Sequence, residues 1–167
     1  MVEHRKNPLA EAMEGWLASC DFGVMTHGFA KHGRDYIFII EDSIGRDPGT
    51  HRLTFTHVVD LKYETAVQDE WWQKSWDDTF TDWQAHQDAG EPEGYVWGTN
   101  WSGAWPGLSA PDSTPESLRW AERLGHPMHE MSLATDRFRI SMIFHDLRTE
   151  KLAPDAPTVS QVVIPLG

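Results

Sequence analysis

Arg52-Leu53-Thr54-Phe55-Thr56-His57-Val58-Val59-Asp60-Leu61-Lys62-Tyr63 is the stretch that decides the fold class. Leu53, Phe55, His57, Val59, Leu61 and Tyr63 fall on one parity, and Thr54, Thr56, Asp60 and Lys62 on the other. A period of two with one apolar and one polar face is the pattern of a half-exposed strand in an antiparallel sheet. Upstream, Tyr36-Ile37-Phe38-Ile39-Ile40 is apolar on both parities, as expected of an interior strand covered on both faces. Residues 22–27 read as a short strand before it. Downstream, residues 128–133 and 138–147 form a hairpin turning at Thr135-Asp136-Arg137.

Helix signals flank these strands. Asn7 caps a first helix with Pro8 at its first position, where a missing N–H costs nothing. Thr114 and Pro115 repeat that arrangement for a helix that Gly125 stops, with Leu118, Ala121 and Leu124 on its buried side. Between the sheet segments lie residues 67–105, which hold seven of the nine tryptophans. Trp72, Trp76, Phe80, Trp83 and Gln87 recur at helical spacing and predict one amphipathic helix whose indole stripe packs on the sheet. Residues 93–101 read as a short strand opening into a Gly/Trp/Pro loop. The sum is an α+β domain over residues 8–152, with a mostly antiparallel sheet of about five strands packed by about three helices. Residues 153–167 read as a linker-like tail, either loose or an added edge strand.

At 167 residues and mean hydropathy −0.51 the chain suits one globular domain. No apolar run approaches the ~20 residues of a membrane span. The charged start is unlike a secretory signal, and the single Cys20 fits a reducing cytoplasm and inert burial on its helix. The formal charge of −12 is unevenly placed: residues 60–93 carry ten carboxylates against Lys62 and Lys74, a net −8. Such a face repels a phosphate backbone, so no nucleic-acid partner is expected. It is either a solvated surface that keeps the protein in solution or a docking face for a basic protein, with Glu70, Asp77, Asp78 and Asp82 as its candidate contacts.

No reaction stands out. Nine histidines are present, but no spacing makes a ligand set, so no metal is expected, and no cofactor either. Nucleophile elbows and phosphate loops are missing. His57 lies on the apolar parity of its strand, where an imidazole needs a hydrogen-bond partner. A satisfied core histidine is the default there. The alternative is a base in an aromatic pocket with Trp97 and Trp101, and with His27 or Asp35 beside it.

Several stretches together resemble the YxiG-like domain proteins of bacteria: Thr26-His27-Gly28-Phe29 with Arg34-Asp35-Tyr36, then Gly94-Tyr95-Val96-Trp97-Gly98 and Trp105-Pro106-Gly107. The helix and turn at residues 120–129 and the strand at 138–147 extend the likeness over residues 9–152. The resemblance implies a small bacterial protein of the kind encoded near polymorphic toxins, hence an immunity-type inhibitor, and it assigns no site residue. The leading expectation is a protein-interaction module without enzymatic activity. An enzyme or small-molecule binder with a Trp/His pocket is the alternative.

Overall fold

The computed structural model describes residues 5–30, 33–97 and 101–155, apart from the side chain of Asp78. The alternating stretch forms two strands, β3 (Gly49–Thr56) and β4 (Asp60–Thr65), separated by residues 57–59. The break has a local cause. The backbone N–H of His57 donates to the Asp35 carboxylate at 3.1 Å, and that of Val58 donates to the Arg34 carbonyl at 2.8 Å. With those donors engaged elsewhere the ladder stops, and His57 turns through a positive φ of 50°. On the partner side His145 alone separates β7 (Phe138–Phe144) from β8 (Asp146–Lys151). β3 pairs with β8 and β4 with β7, so residues 49–65 and 138–151 make one long, kinked antiparallel ladder.

The remaining strands are β1 (Gly23–Phe29), β2 (Tyr36–Asp42), β5 (Ser102–Ser109) and β6 (His129–Thr135), in the order β4-β7-β6-β5-β1-β2-β3-β8, every pair antiparallel. Because β3 runs on into β4 and β7 into β8, the two ends of that order are the same two pieces of chain. The sheet therefore folds over on itself like a flattened barrel. Its second seam is short: only Gly23 with Gly103 and Val24 with Ser102 join β1 to β5. Phe38 and Phe55 from one half meet Phe144 and Phe138 from the other in a single core, with Phe55 edge-on to Phe144 at 4.9 Å.

Helix α1 (Pro8–Gly15) is capped as its sequence predicts, the Asn7 side chain accepting from Leu9 N–H at 3.1 Å. The same buried side chain donates to the carbonyls of Pro111 and Glu130, which fastens the helix to the sheet. Helix α4 (Pro115–Leu124) has its Thr114 cap and a Gly125 stop at φ 70°, but it presents Ser117 and Ala121 to the sheet and leaves Leu118 and Leu124 exposed. Among the described residues there are eight strands and four α-helices rather than about five and three. The expected edge strand within residues 153–167 falls almost wholly outside the described residues.

The largest departure is the tryptophan-rich segment. In place of one helix it holds α2 (Asp69–Lys74), a 3-10 turn (Asp78–Thr81) and α3 (Trp83–Asp88). Asp77 caps the 3-10 turn through Thr79 N–H, and Asp82 caps α3 through Gln84 and Ala85 N–H at 2.6 and 3.1 Å. Each cap restarts the helical phase, so the residues spaced as one stripe leave in different directions. Phe80 is buried as expected, but Trp76 is 84% exposed and Trp83 53%. The expected strand over residues 93–101 is irregular from Glu93 to Trp97 and at Trp101, its residues 98–100 lie outside the described residues, and β5 begins at Ser102. Trp105-Pro106, joined by a cis bond, belongs to β5: a register shift between Ala104 and Gly107 carries the proline, which has no N–H to give, out of the ladder.

Candidate functional site

One mouth of the folded sheet opens into a cavity of about 500 Å3, lined among others by His27, Tyr63, Trp72, Trp97, Arg137 and Phe138. β1 supplies His27, β4 Tyr63 and β7 Phe138; the tryptophans come from the insertion between β4 and β5. The imidazole of His27 packs on Phe138 at 4.5 Å and lies 6.0 Å from Tyr63 across the barrel, and 5.6 Å from Phe38 on the neighbouring strand β2. Its Nδ1 shares a 2.7 Å hydrogen bond with the Tyr36 hydroxyl. Burial lowers the His27 pKa below the ordinary histidine value, and burial pushes the Tyr36 phenol up to about 12. At neutral pH the pair is therefore uncharged, which is what an aromatic enclosure favours.

The tryptophan wall is fixed by polar contacts. Trp72 and Trp97 stack at 4.5 Å, and Trp97 Nε1–H donates to the Ser75 carbonyl at 2.7 Å. Arg137, at the β6–β7 turn, donates from Nε to the Tyr95 hydroxyl at 3.0 Å and from a terminal nitrogen to the Trp97 carbonyl at 3.3 Å. A turn arginine thus holds the insertion over the mouth. Burial raises the Tyr95 pKa, opposed by the Arg137 hydrogen bond, so the phenol remains a neutral partner for the guanidinium.

Of the five expected pocket residues, His27 and Trp97 share this cavity. Trp101 lines a second cavity of about 560 Å3, which shares Met25 with the first. His57 and Asp35 join neither. The Asp35 carboxylate is occupied by Arg34 at 2.9 and 3.1 Å and by the His57 N–H, and the Arg34 hydrogen bond holds its pKa below the usual carboxylate range. His57 is exposed, beyond the end of β3, its ring 5.8 Å from that of His145. Cys20 is half-buried and not sealed in the core. Sequence periodicity missed Tyr36, Tyr63, Tyr95 and Arg137. Only Tyr36 and Tyr63 carried a signal, as aromatic residues beginning an interior strand and closing an alternating one.

The profile of the YxiG-like protein family matches residues 5–161, nearly the whole chain. The chain belongs to this family. No curated protein matches it. Some of the stretches that carry the YxiG-like resemblance reach the two cavities: His27, bonded to Tyr36, and Trp97 line the first, and Trp105 lines the second. Among the described residues no group of three His, Cys, Asp or Glu side chains is placed to hold a metal ion, and no helix is long and apolar enough to cross a membrane.

The acidic candidates divide by role. Glu70 lies exposed in the first turn of α2, where its charge favours the helix dipole. Asp77 and Asp82 are the two caps described above, so their carboxylates hold backbone as well as charge. The Asp78 side chain lies outside the described residues. Beside these acids project Trp76 and Trp83, and farther along the chain Trp101 and Trp105, 53% and 66% exposed.

Proposed function

We propose that this YxiG-like protein is an interaction module that docks a basic protein partner through the acidic, tryptophan-bearing segment between β4 and β5, as an immunity-type inhibitor would. The observation that carries the reading is the exposure of Trp76 at 84%. An indole left in water forfeits a large burial gain, whereas tryptophans that anchor an interface recover it on binding and dominate its energy. The net −8 over residues 60–93 supplies the long-range attraction that selects a basic partner and speeds association. The proposed setting is bacterial cytoplasm, supported by the single thiol at Cys20.

The test uses a cationic toxin encoded beside the gene, measured for binding and for growth rescue on co-expression. Trp76→Ala should weaken binding by at least ~30-fold, the equivalent of about 2 kcal/mol at an interface anchor. Glu70→Lys with Glu91→Lys, which spares the caps at Asp77 and Asp82, should slow association and flatten its salt dependence where the Debye length is ~8 Å. Unchanged affinity and full rescue by the combined variant would discard the docking face.

A second reading, a small-molecule binder at the His27 mouth, is favoured by one observation: the neutral His27–Tyr36 pair sits between stacked aromatic walls. Native mass spectrometry of protein purified from its own host tests it. A retained small molecule that disappears in His27→Gln supports the reading, and bare protein in both samples rejects it.

A further inference from the structure

The second cavity, of about 560 Å3, lies where the short β1–β5 seam meets the β6–β7 turn. Gly23 and Gly103 face each other across that seam, and a side-chain carbon built on either would stand 3.5 or 3.4 Å from the Trp101 indole. The paired glycines therefore leave a flat bed on which the ring rests, and longer side chains there would push it off. Trp105 flanks the same space from the bulge of β5. Among the described residues neither indole makes a ring contact or a side-chain hydrogen bond. Both indoles border the cavity, and both are more than half exposed.

The rest of the lining decides the sign of the occupant. Asp21, Glu41 and Asp136 open onto the cavity, and among the described residues no lysine, arginine or histidine lines it. Asp136 accepts from the Tyr95 hydroxyl at 3.3 Å and Asp21 from the Cys20 thiol at 3.5 Å, both neutral donors, and no described residue forms an ion pair with any of the three. Carboxylates with no ion-pair partner among the described residues, beside two exposed indoles, are complementary to an organic cation. A guanidinium suits them best: its plane stacks on an indole while its edge forks onto a carboxylate, which a compact ammonium does less well.

We infer that this cavity receives an arginine side chain of the protein partner, its guanidinium stacked on Trp101 or Trp105 and hydrogen-bonded within the Asp21, Glu41 and Asp136 ring. The inference rests on the reading of the protein as a docking module for a basic protein, and it names the part of the partner that enters.

The test is an NMR titration of the full chain with the peptide acetyl-Gly-Arg-Gly-amide, with its neutral citrulline counterpart, and with ethylguanidinium. The indole N–H signals of Trp101 and Trp105 are assigned from Trp101→Phe and Trp105→Phe. The arginine peptide should shift both signals with a dissociation constant of about 1 mM, and the citrulline peptide should leave them in place. Asp21→Asn with Glu41→Gln and Asp136→Asn should weaken binding about tenfold or more; asparagine tolerates the positive φ of 59° at position 21. Trp105→Ala should weaken it as well without removing a charge. Equal shifts from the arginine and citrulline peptides, or none from either, overturn the inference. Ethylguanidinium binding about tenfold tighter than the peptide overturns the side-chain source in favour of a free small molecule. If the peptide titrates the cavity while toxin binding ignores Trp76→Ala, the docking face fails and the cation site stands. The reverse pattern removes the cation site and leaves the docking face.

Discussion

Trp76→Ala and Phe80→Ala, four residues apart, should have opposite consequences although helical periodicity puts them on one stripe. Trp76 is 84% exposed, so about a sixth of its surface is covered. Of the ~250 Å2 a tryptophan can bury, that is ~40 Å2. At ~25 cal/mol per Å2 the loss on truncation is about 1 kcal/mol, an upper value because the unfolded chain also covers part of the ring. Phe80 is 5% exposed, beneath Gly94, and its carbonyl accepts from Trp97 N–H at 2.5 Å. Its truncation opens a void in the insertion and should cost ~3–5 kcal/mol. For a chain of this length ~1 kcal/mol corresponds to about 2–4 °C in Tm. Urea denaturation followed by far-UV circular dichroism, with calorimetry in parallel, measures both variants. A Trp76→Ala loss equal to that of Phe80→Ala would mean that the indole is packed in solution, and the argument for an exposed docking ring would fall with it.

Two further outcomes are expected. Burial lowers the folded-state pKa of His27 below the ordinary histidine value of ~6.5, so the folded protein binds fewer protons than the unfolded chain between those two values. The His27 contribution to stability is therefore complete above pH ~6.5 and declines as pH falls below it; His27→Gln, measured against wild type from pH ~7.5 to ~5, should lose that slope, and parallel curves would refute the burial. Gly107 sits at φ 97° with Ser19 carbonyl oxygen 2.1 Å from where a Cβ would stand. Gly107→Ala must move either β5 or the α1–β1 connection and should destabilise by more than ~1 kcal/mol, whereas the same replacement at an unstrained glycine would stabilise; a denaturation midpoint within error of wild type would refute it.

Local chemistry was the most legible part of the chain. Asn7-Pro8, Thr114-Pro115 and Gly125 each act within a few residues of themselves, and each behaves as its sequence predicts. Alternation correctly buried Leu53 and Phe55 but carried His57 inward with them. What stops the strand is a carboxylate 22 residues away in sequence, at Asp35, and periodicity has no access to such a partner. The tryptophan stripe failed for a related reason. Asp77 and Asp82 read as members of a solvated helix face, yet the same carboxylates compete for backbone N–H groups and end one helical phase as they start the next. The stretch around Pro106 read as a Gly/Trp/Pro loop, and the bulge between Ala104 and Gly107 lets it form β5. In the site, His27 and Trp97 were two of five residues expected to share a pocket and are the two that line one cavity, whereas Arg137 read as a turn residue because its partners, Tyr95 and Trp97, lie 40 and more residues away.

The division of labour among the tryptophans argues against treating them as one core. Trp72 and Trp97 stack on each other, and the Trp97 indole N–H and backbone carbonyl are held by the Ser75 carbonyl and by Arg137. That pair anchors the insertion to the barrel mouth through contacts that do not need the other rings. Trp76 and Trp83, on either side of the caps, are then carried outward by a segment already fixed at its base, and Trp101 and Trp105 flank a cavity whose bed is two glycines. A core would have placed bulky residues where Gly23 and Gly103 stand. The two cavities share Met25 as a lining residue. If a side chain entering beside Trp101 displaces that shared wall, filling one cavity should change affinity at the other, and Met25→Ala should remove the change while each cavity still binds when measured alone; equal affinity at one cavity with the other full or empty would refute the coupling.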